Sequence, residues 1–243
     1  MKRNELIGAS AAVAAALLAS RAALAIPQQG QIVIRPLTPP KNKQINVAVV
    51  VGDSATVIDF TGPWEVFQDT MLGDMENMVM PFNPYLVSDK VLPLDATDDL
   101  RIVPRYTYAN APAPHIVVVG AQGGRSATKL AWLREQEQQA DVVMSVCTGA
   151  FVLGAAGMLD GKLATTHHEF YDKFAATYPR AHLIRGPRFV ENEKVSCAGG
   201  LTSGIELALH VVERYYGREI ADRTAYYMEY TRSPKRPALQ AET

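Results

Sequence analysis

"DVVMSVCTGAFVLGAAG", residues 141 to 157, runs from an unbroken apolar, β-branched segment into a run of small residues, with a cysteine at the join. A short apolar run of this kind reads as a strand buried on both faces. The small residues after it read as a helix that starts without a loop. Cys147 therefore stands where a strand turns directly into a helix, the geometry of a nucleophile elbow. Three roles are open to it: half of a disulfide with Cys197, the only other cysteine, a small core residue, or a nucleophile. The helix N-terminus directs N–H groups and a partial positive charge at the sulfur, which favours thiolate. Gly149 and Ala150 let the helix begin tightly against the sheet. The context favours the nucleophile.

The same pattern repeats outward from this stretch. "INVAVVV" (45–51), "PYLVSD" (84–89), "HIVVVGAQGG" (115–124) and "KVSCA" (194–198) read as further strands. Helices are expected between them. In "DFTGPWEVFQDTML" Gly62 is placed as N-cap, Pro63 as the first helical residue and Glu65 three positions on. Ser126 caps "ATKLAWLREQEQQA", and "EFYDKFAATY" ends before Pro179. "TSGIELALHVVERYYG" is amphipathic and closed by Gly217; "REIADRTAYYMEY" is a last helix. Segment 91–109 reads as hairpin and loop, while "KLATTH", "AHLI" and "RFVEN" read as short strands. Apolar strands alternating with helices predict an α/β sandwich, a mainly parallel sheet with helices on both faces. Sites in such folds lie at the C-terminal strand ends, which is where Asp59, the "GAQGG" turn and Cys147 fall.

At 243 residues and 48% hydrophobic, the chain can bury one sizeable core. A formal net charge of −1 argues against nucleic acid as a partner. The N-terminus, "MKRNELIGASAAVAAALLASRAALA", places Lys2 and Arg3 before an Ala/Leu-rich run that ends in Ala23-Leu24-Ala25. It reads as an export signal cleaved after Ala25, so a periplasmic or secreted location is expected. The run from Leu6 to Ser20 is short and Ala-heavy for a bilayer span, and no stable membrane span is expected after cleavage. Residues 26–44, with four prolines, read as an extended linker, 45–232 as the domain, and 233–243 as a polar tail.

Asp59, between Ile58 and Phe60, is expected to be partly desolvated and so to have a raised pKa, fit for proton exchange with the sulfur. The local sequence leans slightly toward a simpler role, a turn aspartate bonded to nearby N–H groups. The Thr148 hydroxyl could orient a substrate or bond the first helical turn. The backbone N–H groups of Ala121, Gln122 and Gly123 could face a developing negative charge. His167 could pair with the thiolate or pack as a neutral ring. His167-His168 lacks zinc spacing and two cysteines are too sparse to complete a site, so no metal is expected. Cys197 reads as a buried strand cysteine, with a disulfide to Cys147 left open; that bond needs Cα atoms within about 7 Å.

Taken together, "IDFTGPWEVF" (58–67), "SVCTGAFVLGAAGMLDGKLATTHHEF" (145–170), "GGLTSGIELAL" (199–209) and "MEY" (228–230) resemble the DJ-1/PfpI superfamily and, within it, the isonitrile hydratase branch. The resemblance implies a flavodoxin-like sandwich of the class I glutamine amidotransferase type, a homodimer, a small-molecule substrate and no cofactor. It implies Cys147 as nucleophile, with Asp59 where relatives often carry Glu, Thr148 where many carry His, and His167 as the histidine of the T-T-H motif. The implied activity is addition of water to an isonitrile. Glyoxalase- or amidase-like chemistry at the same cysteine, or a non-catalytic binding or redox-sensing role, are the alternatives. The domain also resembles the sensor half of certain AraC-type regulators. One departure is local: relatives usually carry P-G-G where this chain has Gly120-Ala121-Gln122, which would place an amide near the site.

Overall fold

A computed structural model describes residues 36–232. The export signal expected at 1–25, the first part of the linker and the tail from 233 lie outside the described residues. Within the linker segment, Leu37 donates its backbone N–H to Arg214 O at 2.8 Å and packs against the core.

Eleven strands and six α-helices are described, in three sheets. The strands are β1 Ile45–Val50, β2 Phe82–Ser88, β3 Leu94–Asp95, β4 Arg101–Ile102, β5 Tyr106–Thr107, β6 Ile116–Val119, β7 Val142–Val146, β8 Leu163–Ala164, β9 His182–Leu183, β10 Phe189–Asn192 and β11 Val195–Ala198. The α-helices are α1 Val57–Gln68, α2 Ala127–Gln139, α3 Gly149–Ala155, α4 Tyr171–Thr177, α5 Ser203–Tyr216 and α6 Arg218–Tyr227. The main sheet runs β10-β11-β7-β6-β1-β2-β5, parallel throughout except for the edge strand β10. Counted along the chain, its inner strands β2-β1-β6-β7-β11 take the flavodoxin-like order 2-1-3-4-5. As the apolar runs predicted, every residue of β6, β7 and β11 is buried. The expected hairpin in 91–109 is β3 paired antiparallel with β4.

Helix α2 is capped as expected, Ser126 Oγ accepting the Lys129 N–H at 3.0 Å, and Gly217 at φ +82° closes α5. Helix α1 differs from the sequence expectation. It starts at Val57, with Thr56 as N-cap, so Gly62 is no cap and Pro63 lies inside the helix. The reason is tertiary: Thr56 donates its N–H to Ala121 O at 2.9 Å and its own carbonyl accepts from Asp59 N at 3.1 Å. The first turn is thereby pinned to the end of β6, well before the proline. Gly62 serves a different end, since a Cβ there would lie 3.0 Å from Ile205 on α5. The main consequence is that Asp59 sits in the first turn of a helix.

Candidate active site

Cys147 follows the last residue of β7 with φ +58°, a left-handed conformation that costs a non-glycine residue roughly 1–2 kcal/mol. The surroundings hold it there. Its N–H is shared between Gly199 O at 2.8 Å and Ala198 O at 3.2 Å. Its carbonyl accepts the buried Thr166 hydroxyl at 2.9 Å. Behind it, Gly149 leaves no room for a side chain: a Cβ would stand 2.0 Å from Val119 O. The elbow read from the sequence is therefore present, and strained. Both cysteines are free thiols; Cys197 is a fully buried strand residue, which answers the question of a bridge.

Asp59 is fully buried. Its Oδ2 accepts the Ala121 N–H at 3.0 Å. Its Oδ1 is buried and closes no full hydrogen bond. Burial pushes the carboxyl up to about 6; the Ala121 N–H, the Cys147 thiol and the Leu201 N–H oppose that rise. Cys147 is pushed further. Burial first, then the Asp59 charge, raise the thiol to about 11, against the pull of the Thr148 and Leu201 N–H groups. The expectation that the helix N-terminus favours a standing thiolate is thus corrected. The N–H groups face the sulfur as expected, but desolvation and the neighbouring carboxylate outweigh them. Between about pH 6 and about pH 11 the pair is a carboxylate beside a protonated thiol. This is a general base next to a masked nucleophile.

The other candidates separate. Thr148 is the N-cap of α3, half-buried, with its hydroxyl making no capping bond. The Ala121 N–H, expected as a donor to developing charge, is taken up by Asp59. Gln122 does not extend an amide into the site. Its Nε2 donates to Val50 O at 2.9 Å and Gly120 O at 3.3 Å, and its Oε1 accepts from Lys129 Nζ at 3.0 Å. The Gly123 N–H is occupied by Asp53 O at 2.7 Å. His167 makes no hydrogen bond to the sulfur. Its Nδ1 accepts from Glu169 N at 3.3 Å, its ring stacks on His168 with centroids 4.4 Å apart, and its edge fills the space beside Gly200. Gly62 acts at the α1–α5 contact.

Two site residues were not singled out from sequence. Thr166 supports the elbow carbonyl. Leu201, at φ +53°, presents its N–H to both the thiol and the carboxyl. The double glycine before it in "GGLTSG" is the one local sign of a turn that brings backbone close to a reactive atom. Among the described residues no group of three or more His, Cys, Asp or Glu converges as a metal site, and no helix is long and apolar enough to cross a membrane.

A flavodoxin-like sheet, a left-handed cysteine at the strand–helix elbow and a buried acid opposite define an α/β protein of the cysteine-elbow class. The chain belongs to the DJ-1/PfpI family, whose model matches residues 45–214. It is 30% identical over 182 residues to an isonitrile hydratase of Pseudomonas putida, covering 73% of this chain and 75% of that protein. It is 30% identical over 141 residues to the HTH-type transcriptional regulator GbdR of Pseudomonas aeruginosa, covering 56% of this chain and 38% of the regulator. Among solved structures, a ThiJ/PfpI family protein from Pseudomonas syringae superposes with a TM-score of 0.66 at 25% identity, over 89% of this chain and 85% of that one.

Proposed function

We propose that the protein adds water to an isonitrile, R–N≡C, to give an N-substituted formamide, with Cys147 as nucleophile and Asp59 as the proton carrier. The observation that carries the reading is the fully buried Asp59 carboxyl, fixed by the Ala121 N–H at 3.0 Å and set beside the Cys147 thiol at the left-handed elbow. The similarity to an isonitrile hydratase over most of both chains supports it. An isonitrile carbon is both nucleophilic toward a proton and electrophilic once protonated. Asp59 takes the thiol proton and passes it to that carbon while the sulfur bonds to the same atom, giving a thioimidate, R–N=CH–S–Cys147. Water then adds its oxygen to the carbon and a proton to the nitrogen, assisted by the Asp59 carboxylate. The tetrahedral adduct expels the sulfur, which recovers the hydroxyl proton through Asp59. The net change is addition of one water, with no oxidation or reduction.

The N–H groups of Thr148 and Leu201 carry the role expected of Ala121, bearing on charge at the sulfur as the C–S bond forms and breaks. The half-buried Thr148 hydroxyl orients the isonitrile nitrogen or the water. Export to the periplasm and a homodimeric assembly belong to the same reading. Formamide release from a panel of alkyl and aryl isonitriles tests it, with Cys147→Ser and Asp59→Asn as controls that keep the fold and lose turnover. Undiminished turnover in Cys147→Ser would sink the mechanism.

One observation favours a second reading, ligand capture without turnover: part of a transcriptional regulator is 30% identical to this chain over 141 residues. An intact-mass adduct on Cys147 that builds up with isonitrile and releases no formamide would select it.

A further inference from the structure

The turn after β6 encloses a buried cation. Lys129 is 1% exposed, and its Nζ donates to Gln122 Oε1 at 3.0 Å, Gly124 O at 3.2 Å and Gly123 O at 3.4 Å. All three acceptors are neutral. Asp53 after β1 and Asp89 after β2 act on it only through space; Asp89 Oδ1 itself accepts the Ser126 hydroxyl at 2.6 Å. Burying an ammonium against neutral acceptors is costly. A clamp for one surface turn could be built with an uncharged side chain.

The bonds lead toward the site. Gln122 accepts from Lys129 through Oε1 and donates through Nε2 to Gly120 O at 3.3 Å. The Gly120 carbonyl and the Ala121 N–H are the two ends of one peptide group, and that N–H donates to Asp59 Oδ2 at 3.0 Å. We propose that Lys129 and Gln122 are positioning residues for the reaction, forming a hydrogen-bond relay, Lys129 Nζ to Gln122 side-chain amide to Gly120–Ala121 peptide to Asp59, that supports the carboxylate in its ionised form. The ammonium draws electron density from Oε1, which strengthens the Nε2–H donor. Donation to Gly120 O polarises the peptide in the same sense and strengthens the Ala121 N–H. Each link adds about 10–30% to the next bond. The relay offsets part of the desolvation of Asp59, so that the base is ionised at neutral pH. Besides Ala121, the groups facing Asp59 are the Cys147 thiol at the β7–α3 elbow and the Leu201 N–H before α5.

This rests on Asp59 acting as base for Cys147 and not on the identity of the substrate, so it is tested without an isonitrile. Iodoacetamide modification of Cys147, followed by peptide mass as a function of pH, is expected to show an acid limb with its midpoint near 6. Gln122→Met moves that midpoint upward by a few tenths of a pH unit, and Lys129→Met moves it upward by less, because it weakens the Gln122 bond without removing it. The double variant moves it no further than Gln122→Met alone, because the links act in series. An unmoved midpoint in both single variants, or shifts that add in the double variant, overturns the relay. An acid limb that persists in Asp59→Asn removes the base reading and the relay with it, whereas loss of formamide production alone touches neither. The unaltered protein supplies a check independent of variant folding. In an NMR titration the Gln122 side-chain NH2 and the Ala121 N–H should shift with one shared midpoint. A Gln122 amide that stays silent while Ala121 titrates overturns the proposal.

Discussion

Ala121 and Asp59, 62 positions apart in the chain, are joined by a buried hydrogen bond of 3.0 Å from backbone N–H to Oδ2. That contact ties the first turn of α1 to the end of β6 and gives a desolvated carboxylate its firm donor. It also has a consequence for stability. The Asp59 carboxyl has its ordinary value, 3.8, when unfolded and about 6 when folded. A raised acid binds its proton better in the folded state, so its contribution is full below about 3.8 and is lost as pH rises through about 6. Asp59→Asn should therefore stabilise the protein at neutral pH by on the order of 2 kcal/mol, and flatten the fall in stability across that window. Urea denaturation at a series of pH values checks it. A variant whose stability profile runs parallel to that of the unaltered protein would contradict the assigned burial of charge.

The left-handed backbone at Cys147 predicts an inverted ranking of two simple variants. In a helix or strand, glycine is less stable than alanine by roughly 0.5–1 kcal/mol. Here, at φ +58°, Cys147→Gly should be the more stable of the pair, by about 1 kcal/mol. Thermal unfolding of Cys147→Gly and Cys147→Ala decides it; alanine being equal or better would mean that the elbow relaxes.

Gly149 carries a harder constraint. Its Cβ position falls 2.0 Å from Val119 O, a backbone atom in the middle of the sheet. Gly149→Ala must displace either the start of α3 or the end of β6. The expected loss is about 3 kcal/mol or more, in the range of overpacked or strained core sites. Ordinary expression, melting and Cys147 alkylation in this variant would show that the helix start is softer than drawn.

Thr166 tests the support of the elbow from outside its own chain segment. Its hydroxyl reaches the Cys147 carbonyl at 2.9 Å and is fully buried. Thr166→Val preserves the shape and removes the donor, with an expected cost of about 1–2 kcal/mol. Thr166→Ser should recover most of it. Equal losses in Val and Ser would point to packing of the methyl group instead.

The strands were legible because a parallel strand covered on both faces leaves an unbroken apolar run, and the elbow because a strand ending in Cys147-Thr148-Gly149 has no residues left for a loop. Ser126 as a cap was legible from local chemistry alone. The start of α1 was not. Gly62-Pro63 is a good local start signal, and it lost to the bond between Thr56 N–H and Ala121 O. The sequence puts the Gln122 amide near the site, but a sequence carries no direction for a side chain. In the fold it turns toward Lys129 and the end of β1.

By itself, then, the sequence determined the alternation of elements, the mainly parallel sheet and the place of Cys147 at a strand end, since each follows from a period or a junction within a few adjacent residues. Only the tertiary structure decided what the site is chemically. Asp59, Ala121, Cys147, Thr166 and Leu201 come from five separate segments; the burial of Asp59 and Cys147, set against the N–H groups of Ala121, Thr148 and Leu201, raises both groups and the thiol further, so that the proton of the pair rests on sulfur. The balance between desolvation and convergent N–H donors depends on atoms far apart in the chain, so no local pattern encodes it.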